Sequence, residues 1–328
     1  MFGKKLREPA TGPCAMPESS KIRTDVRTEE EIKDEKSNRS GEEKSMEAIS
    51  YSPGDILRET VREISKRLGG KMDKLTVEKT VIGLFFTGVK LSNGVGGVCF
   101  TPIKAIPQAV CCPSSARAMP ASGKLKNRGV TQFLEEMFSD NPLKRTMGIA
   151  VLNALSTVCW REKQPESYEI KTGVDALDEM TIPEEGFVVV VGALVPAIKA
   201  LKQRGKPFGI LELDPLTLKE DELEFFVPIE QAAATVPKAD LLIITGTTLI
   251  NDTLEDLLKL RKPDAQVVVV GPTASMLPEA FFRRGVAVLG GIMVTDADQL
   301  LDLISEAGSG YHFFGKGAER VVIQAVGS

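Results

Sequence analysis

The chain has 328 residues, a net charge of −4 and 42% hydrophobic residues, which is typical of a globular protein long enough for two cores. This charge offers no basic field for nonspecific nucleic-acid binding, and the apolar runs are too short and too interrupted by Gly and Pro to span a bilayer. The start has no apolar segment typical of a secretory signal. We therefore expect a cytoplasmic protein whose partners include no membrane and no nucleic acid, and whose five cysteines are thiols.

Residues 1–47 are predicted to be a disordered, charged tail. Residues 4–50 contain no Phe, Tyr or Trp and carry a dense run of mixed charge. Such a segment cannot bury enough apolar surface to offset the entropy lost on ordering. A role as a tether or a partner-binding arm is the alternative.

Residues 48–166 are predicted to form an α+β domain that opens with a helix. Ser52 is a candidate N-cap, and Pro53 suits the first helical position. Gly69-Gly70 is expected to end the helix. Its apolar stripe contains Leu57, Val61, Ile64 and Leu68.

The rest of this domain mixes strands, a long loop and two helices. The runs "KTVIGLFFTGVKL" and "VGGVCFTPI" are predicted as two strands joined by a turn at Asn93-Gly94. The loop over 102–129 is unusually long for a compact domain, and such loops are often functional. Helices are expected near 131–138 and from Asn141-Pro142 onwards.

Residues 167–328 are predicted to form a Rossmann-like domain, so the fold class is α/β. The runs "FVVVVGAL", "FGILEL", "ADLLIITG", "AQVVVVGP" and "VAVLGGIMV" lack polar alternation, which indicates strands buried on both faces. Strands that alternate with helices favour a doubly wound, mostly parallel sheet. The predicted helices cover 196–204, 249–260, 276–284 and 298–307.

The ends of these strands carry the candidate ligand-binding residues. Glycine lets backbone approach a ligand, and hydroxyls and the first N–H groups of helices donate hydrogen bonds, which suits a carboxylate, a phosphate or a polyacidic ligand. The alternative is that the threonines only cap helices. The candidates are Gly192, Glu212, Thr245, Gly246, Thr247, Thr248, Asn251, Gly271, Pro272, Thr273 and Ser275.

Two carboxylates on this edge, Glu212 and Asp214, are the candidates for acid–base catalysis. Glu212 follows Gly192 by about 20 residues, the spacing of a ribose-binding acid in dinucleotide folds. The turn between them, "VGALVPAIKALKQRG", lacks the glycines that admit a pyrophosphate. A nucleotide-dependent enzyme is therefore the alternative reading.

Asn153 is a polar residue inside the apolar helix "GIAVLNALSTV". A buried amide must be hydrogen-bonded. It either ties down the loop over 102–129 or faces a cleft between the domains, where it could contact a ligand.

Two stretches carry a resemblance to a known family. "ADLLIITGTTLINDTLEDLL" and "VVVVGPTASMLPEAFFRRGVAVLGGIMVTDADQLL" resemble the "putative heavy-metal chelation" family, which joins an enolase-N-terminal-like domain to a Rossmann-like domain. "VIGLFFTGVKLSNGVGGVCFTP", "MPASGKL" and "GIAVLNALS" are similar to its amino-terminal module. The resemblance covers roughly residues 50 to 325 and implies a site between the domains that handles metals or metal chelates. It also implies a more polar first loop than "GALVPAIKAL".

The side chains suited to metals are few. His312 is the single histidine, and lone histidines are more often packed or surface residues than ligands. No cysteine pair has Cys-x-x-Cys spacing. Cys111 and Cys112 could bind a soft or transition metal ion together with Glu212, and buried or inert thiols are the alternative.

These patterns predict a two-domain α/β protein that binds a small anionic ligand or a metal chelate in the cleft between its domains. The alternatives are an enzyme that uses a nucleotide or similar cofactor and, third, a scaffold. Whether the protein catalyses a reaction stays open, and a homodimer is compatible with the sequence.

Overall fold

The computed structural model describes residues 54–106, 119, 121–163 and 165–326. The predicted tail over 1–47 therefore lies outside the described residues, as do Cys111 and Cys112. No helix in the described ranges is long and apolar enough to cross a membrane.

Helix α1 (Asp55–Leu68) buries the face that its apolar spacing predicts, and Gly69, with φ 53°, ends it. Gly54, with φ 76°, is the N-cap, and the predicted cap Ser52 and first helical residue Pro53 lie outside the described residues. Glycine adopts this left-handed conformation without a steric cost, and the helix begins only after it. The buried residues of α1 are Ile56, Leu57, Thr60, Ile64 and Leu68.

A three-stranded antiparallel sheet follows, formed by β1 (Val77–Ile82), β2 (Phe86–Leu91) and β3 (Gly96–Phe100). The turn at Asn93-Gly94 is confirmed, with Gly94 at φ 80°. The prediction of two strands is wrong, because the first run contains two. The Gly83 amide donates to the Phe86 carbonyl at 2.9 Å and closes a turn inside that run.

Helices α2 (Val130–Glu136) and α3 (Pro142–Glu162) follow, close to their predicted positions. The helix α3 begins at Asn141-Pro142 as predicted, and the Asn141 side chain caps it by accepting hydrogen bonds from the Leu143 and Lys144 amides, both at 3.0 Å.

The second half of the chain forms an eight-stranded sheet with the order β4-β11-β10-β9-β8-β5-β6-β7. Strands β5 to β10 pair in parallel, whereas β11 runs antiparallel to both β10 and β4. The predicted doubly wound, mostly parallel sheet is confirmed. Its elements are β4 (Tyr168–Thr172), α4 (Ala176–Glu179), β5 (Val188–Val191), α5 (Val195–Arg204), β6 (Phe208–Glu212), β7 (Phe226–Pro228), α6 (Ala232–Thr235), β8 (Leu241–Thr245), α7 (Leu254–Leu260), β9 (Gln266–Val270), α8 (Glu279–Phe282), β10 (Val288–Val294), α9 (Ala297–Ser305), α10 (Gly310–Phe313) and β11 (Ala318–Ala325).

Two helices are shorter than predicted. The helix expected over 249–260 begins only at Leu254, because a 3-10 turn and the left-handed Asp252 (φ 58°) precede it. The helix expected over 276–284 is reduced to α8, because Pro278 disfavours helical backbone in the residue before it.

Strands β2 and β3 of the small sheet are buried on both faces, between α3 on one side and α9 on the other. A Cβ on Gly97 would lie 2.1 Å from the Ala150 carbonyl oxygen of α3. On the opposite face, a Cβ on Gly88 would lie 2.6 Å from the Leu301 side chain of α9. The two halves of the chain thus pack together within one compact unit, Ser50–Ser328, and the domain boundary after residue 166 stays a prediction.

Candidate functional site

The carboxyl ends of four parallel strands lie side by side at one edge of the large sheet. The strand order β9-β8-β5-β6 places Gly271, Thr245, Gly192 and Glu212 along this edge in that order. The connections reverse direction between β5 and β8, and open α/β sheets bind ligands at such a switch point.

Gly192 and Thr245 meet at the switch point. Gly192 has φ 93°, and a Cβ on it would lie 2.7 Å from the Thr245 methyl group. Its amide donates to the Leu211 carbonyl at 2.9 Å. The glycine therefore allows close approach of two strand ends as well as an unusual backbone conformation.

The Thr245–Thr248 turn uses some of its hydroxyls internally. The Thr245 hydroxyl accepts from the Thr247 amide at 3.4 Å and from the Thr247 hydroxyl at 3.2 Å, which is the helix-capping pattern. The buried Thr248 hydroxyl donates to the Thr245 carbonyl at 2.7 Å. Gly246 is also buried, whereas Thr245 and Thr247 are partly exposed. Asn251, further along, is exposed.

The Gly271–Ser275 loop is more deeply buried. The Thr273 hydroxyl accepts from the Phe100 amide of β3 at 3.1 Å. The Ser275 hydroxyl donates to the Pro272 carbonyl at 2.8 Å and accepts from the Ile292 amide of β10 at 2.9 Å. These hydroxyls join the loop to its neighbours, and Gly271 and Pro272 are its partly exposed residues.

Asn153 lies where α3 meets this loop. Its side-chain nitrogen donates to the carbonyls of Val98 at 2.8 Å, Thr273 at 3.0 Å and Pro272 at 3.3 Å. Its side-chain oxygen is buried and has no hydrogen-bond partner among the described residues. Asn153 thus ties β3 to the loop after β9, at the junction of the two halves of the chain.

Lys104 brings the amino-terminal half to the edge. Its Nζ lies 2.5 Å from Asp214 Oδ2, and this bond holds the pKa of the Asp214 carboxyl below its usual range. Sequence reasoning missed Lys104, because no local pattern connects it with a carboxylate so far along the chain.

Both candidate catalytic carboxylates also bond to nearby backbone. Glu212 Oε1 accepts from the Leu213 amide at 2.8 Å and the Asp214 amide at 3.2 Å. Asp214 Oδ1 accepts from the Leu216 amide at 3.0 Å. The two carboxylates are therefore oriented by their own turns.

Metal-binding groups are sparse where the structure is described. The described residues contain no group of three or more His, Cys, Asp or Glu side chains arranged to hold a metal ion. Cys99 and Cys159 are buried, and burial raises the pKa of both thiols, to about 12 for Cys159. His312 is exposed, and its Nδ1 accepts from the Ser309 amide at 2.9 Å at the start of α10.

Of two cavities, one lies at the carboxyl edge of the large sheet and the other lies away from it. One of about 430 Å³ lies at the ends of α1 and α3, away from the edge, and the Arg67 side chain on its wall is engaged by Glu63 and Tyr168. The other, of about 160 Å³, is at the edge, where Gly271 and Pro272 form part of its wall.

Comparison with known proteins gives consistent matches in both halves of the chain. Residues 65–156 match one family model (DUF4213) and residues 175–323 another (DUF364), and both are described as "Putative heavy-metal chelation". An uncharacterized protein of Methanocaldococcus jannaschii is 29% identical over 201 residues, which span 59% of this chain and 71% of the relative.

Two crystal structures of DUF364-family proteins with unknown function are similar in fold. The protein from Pyrococcus horikoshii has a TM-score of 0.65 and 20% identity, and the match covers 82% of this chain and 99% of that chain. The protein from Desulfitobacterium hafniense has a TM-score of 0.60 and 19% identity, covering 81% and 98%. At these identities the likeness shows the fold alone, and it confirms the two-part α/β architecture.

Proposed function

Because the chain belongs to the family described as "Putative heavy-metal chelation", we propose that it binds a small anionic ligand, such as a metal chelate, at the carboxyl edge of its parallel sheet. The observation that carries the proposal is the meeting of three features at that edge. These are the partly exposed hydroxyls of Thr245 and Thr247, the Gly192 and Gly271 backbone, and Lys104 from the other half of the chain.

The chemistry of the described donors fits a chelate better than a bare metal ion. Asp214 is paired with Lys104, and Glu212 bonds to its own turn, so neither carboxylate belongs to a ready ligand set. Hydroxyls, glycine backbone and an ammonium group instead suit anionic oxygen atoms. In a chelate the metal is already coordinated, and the protein needs to recognise only its anionic surface.

A thiolate site is the alternative route to a metal. Cys111 and Cys112, together with Glu212, would favour soft or borderline ions such as Zn²⁺ or Cu⁺. Because the thiols must lose protons to bind, such a site would release metal as the pH falls. Identical Zn²⁺ titrations of the wild type and of a Cys111→Ser/Cys112→Ser variant would remove this site.

A cofactor-dependent enzyme is the second candidate, and one observation favours it. The order β7-β6-β5-β8-β9-β10 is that of a dinucleotide-binding sheet, and Glu212 ends the strand that carries the ribose-binding acid in such folds. In this reading Glu212 and Asp214 would be the acid–base residues. The close contact of Gly192 with Thr245 argues against a pyrophosphate between β5 and β8.

Titration calorimetry on the full chain distinguishes these functions. The probes are citrate, oxalate and inorganic phosphate, each alone and with Fe³⁺ or Zn²⁺, beside the free metals and NAD. We expect a chelate to bind more tightly than its free metal. Thr247→Val should weaken that binding by about 5–30-fold through loss of one hydrogen bond to an anion.

Thr131→Val, at a partly exposed position in α2, is the matched control and should leave binding unchanged. If NAD binds and none of the chelates does, the cofactor-dependent enzyme replaces chelate binding as the proposed function. If Thr247→Val and Thr131→Val bind the chelate with equal affinity, the Thr245–Thr248 turn is not part of the binding site.

A further inference from the structure

The cavity of about 160 Å³ at the sheet edge has the size of a single ring. An apolar cavity of about 150 Å³ holds one benzene molecule. This cavity lies between the start of α5, the end of β9, the middle of β10, and the segment that leads into α4. Its walls are formed by 174–177, Leu194, Pro196, Ala197, 270–272, 290–292, Phe314, Arg320 and Val321.

The inner walls of the cavity are apolar. Leu194 and Ala197 form one side, and Val270 and Ile292 form another. A polar group placed against such walls would lose its hydrogen bonds to water without replacing them, which is costly. The part of a ligand that enters this cavity is therefore apolar.

The exposed part of the cavity wall carries an oriented cation, Arg320. Its Nε lies 3.1 Å from Asp175 Oδ2, and its guanidinium carbon lies 3.8 Å from the centre of the Phe314 ring. Asp175 is itself fixed, because its other oxygen accepts from the Leu177 amide at 3.0 Å. Within the described part of the chain, no acceptor binds the two terminal nitrogens of Arg320, which leaves their fork for a carboxylate or a phosphate.

The cavity adjoins the Thr245–Thr248 turn. A Cβ on Gly271, a wall residue, would lie 3.9 Å from the Gly246 amide nitrogen, its nearest neighbour. A ligand could therefore reach from the cavity to the turn across Gly271, which has φ 117° and no side chain to block the way.

We propose that this cavity is a subsite for a ring-bearing acid: the ring fills the cavity, and Arg320 binds the attached acidic group. The inference rests on the proposed function and narrows its ligand class to small aromatic acids and their metal chelates. Such a ligand would place its ring among the apolar walls and its acidic group at Arg320, and further oxygens that bind the metal would face the Thr245–Thr248 turn.

Matched probes test the subsite on the full chain. Benzoate and salicylate carry an all-carbon ring and a carboxylate, whereas acetate and oxalate lack the ring, and Zn²⁺ complexes of salicylate and oxalate form the chelate pair. We expect the ring to raise affinity by on the order of 10–100-fold, as burial of an aromatic group predicts. Arg320→Gln should weaken benzoate binding by about 10-fold or more, and Arg62→Gln on the exposed face of α1 should not.

Ala197→Leu fills the cavity and should abolish the preference for the ring while the ring-free oxalate complex binds as before. If this variant fails to fold, Arg320→Gln, at a position with 41% side-chain exposure, still decides the question. Equal affinities for ring-bearing and ring-free probes would overturn the subsite. The proposed function would then stand if Thr247→Val still weakened chelate binding, and would fall with the subsite if no chelate bound at all.

Discussion

The two hydroxyl-rich loops at the sheet edge are similar in sequence and different in the structure. In the Gly271–Ser275 loop, Thr273 and Ser275 are buried and bonded to backbone of β3 and β10. In the Thr245–Thr248 turn, Thr245 and Thr247 remain partly exposed, and among the described residues their hydroxyls bond only within the turn. The first loop holds the two halves of the chain together, and the second has hydroxyls left to meet a ligand. A hydroxyl beside a glycine therefore indicates a site only where no distant backbone group already uses it.

The largest effect is expected from Asn153, which fastens the buried loop. Asn153→Ala removes donors to the Val98 and Thr273 carbonyls and leaves both buried without a partner. The free energy of unfolding should fall by about 3 kcal/mol in a urea titration. A loss below about 1 kcal/mol would mean that other contacts hold this junction.

The comparison of the loops is tested by the same substitution in each. Thr273→Val leaves the Phe100 amide without its acceptor and should cost about 2 kcal/mol of unfolding free energy. Thr247→Val removes only a partly exposed bond and should cost less than about 1 kcal/mol. An equal loss of unfolding free energy in the two variants would show that the two loops stabilise the fold to the same extent.

A smaller effect is expected at Lys104, on the exposed rim of the edge. The lysine lowers the pKa of Asp214, so their pairing stabilises the fold above the carboxyl's usual pKa and is lost as the pH falls through the lowered one. Lys104→Gln should bring the Asp214 pKa, measured by carboxyl NMR titration, back toward its ordinary value. An unchanged Asp214 titration would mean that the hydrogen bond from the Leu216 amide lowers this pKa instead.

Local chemistry made part of this structure predictable. The helix start at Asn141-Pro142, the Asn93-Gly94 turn and the stop at Gly69 each depend on neighbouring residues only, and each was found where predicted. The parallel strands were also predictable locally. Because both of their faces are buried, each appears in the sequence as a continuous apolar run.

The remaining features depend on contacts between distant residues. Strand β11 was not predicted, because its buried and partly exposed residues do not alternate as they do in a strand with one buried face. The bonds of Thr273 to Phe100 and of Lys104 to Asp214 join positions more than 100 residues apart. No local pattern reveals which of two similar hydroxyls has such a partner, so the candidate residues could be named from sequence but not separated by role.

Amide hydrogen exchange on the full chain, with and without the tightest-binding chelate, locates the ligand on the protein. If the chelate binds at the carboxyl edge, exchange should slow in the Thr245–Thr248 turn and in the residues after Gly192. The Gly271–Ser275 loop, whose Gly271 amide already donates to Gly290, should change less. Protection confined to the cavity at the ends of α1 and α3, with exchange at the carboxyl edge unchanged, would show that the chelate binds elsewhere and not at the edge.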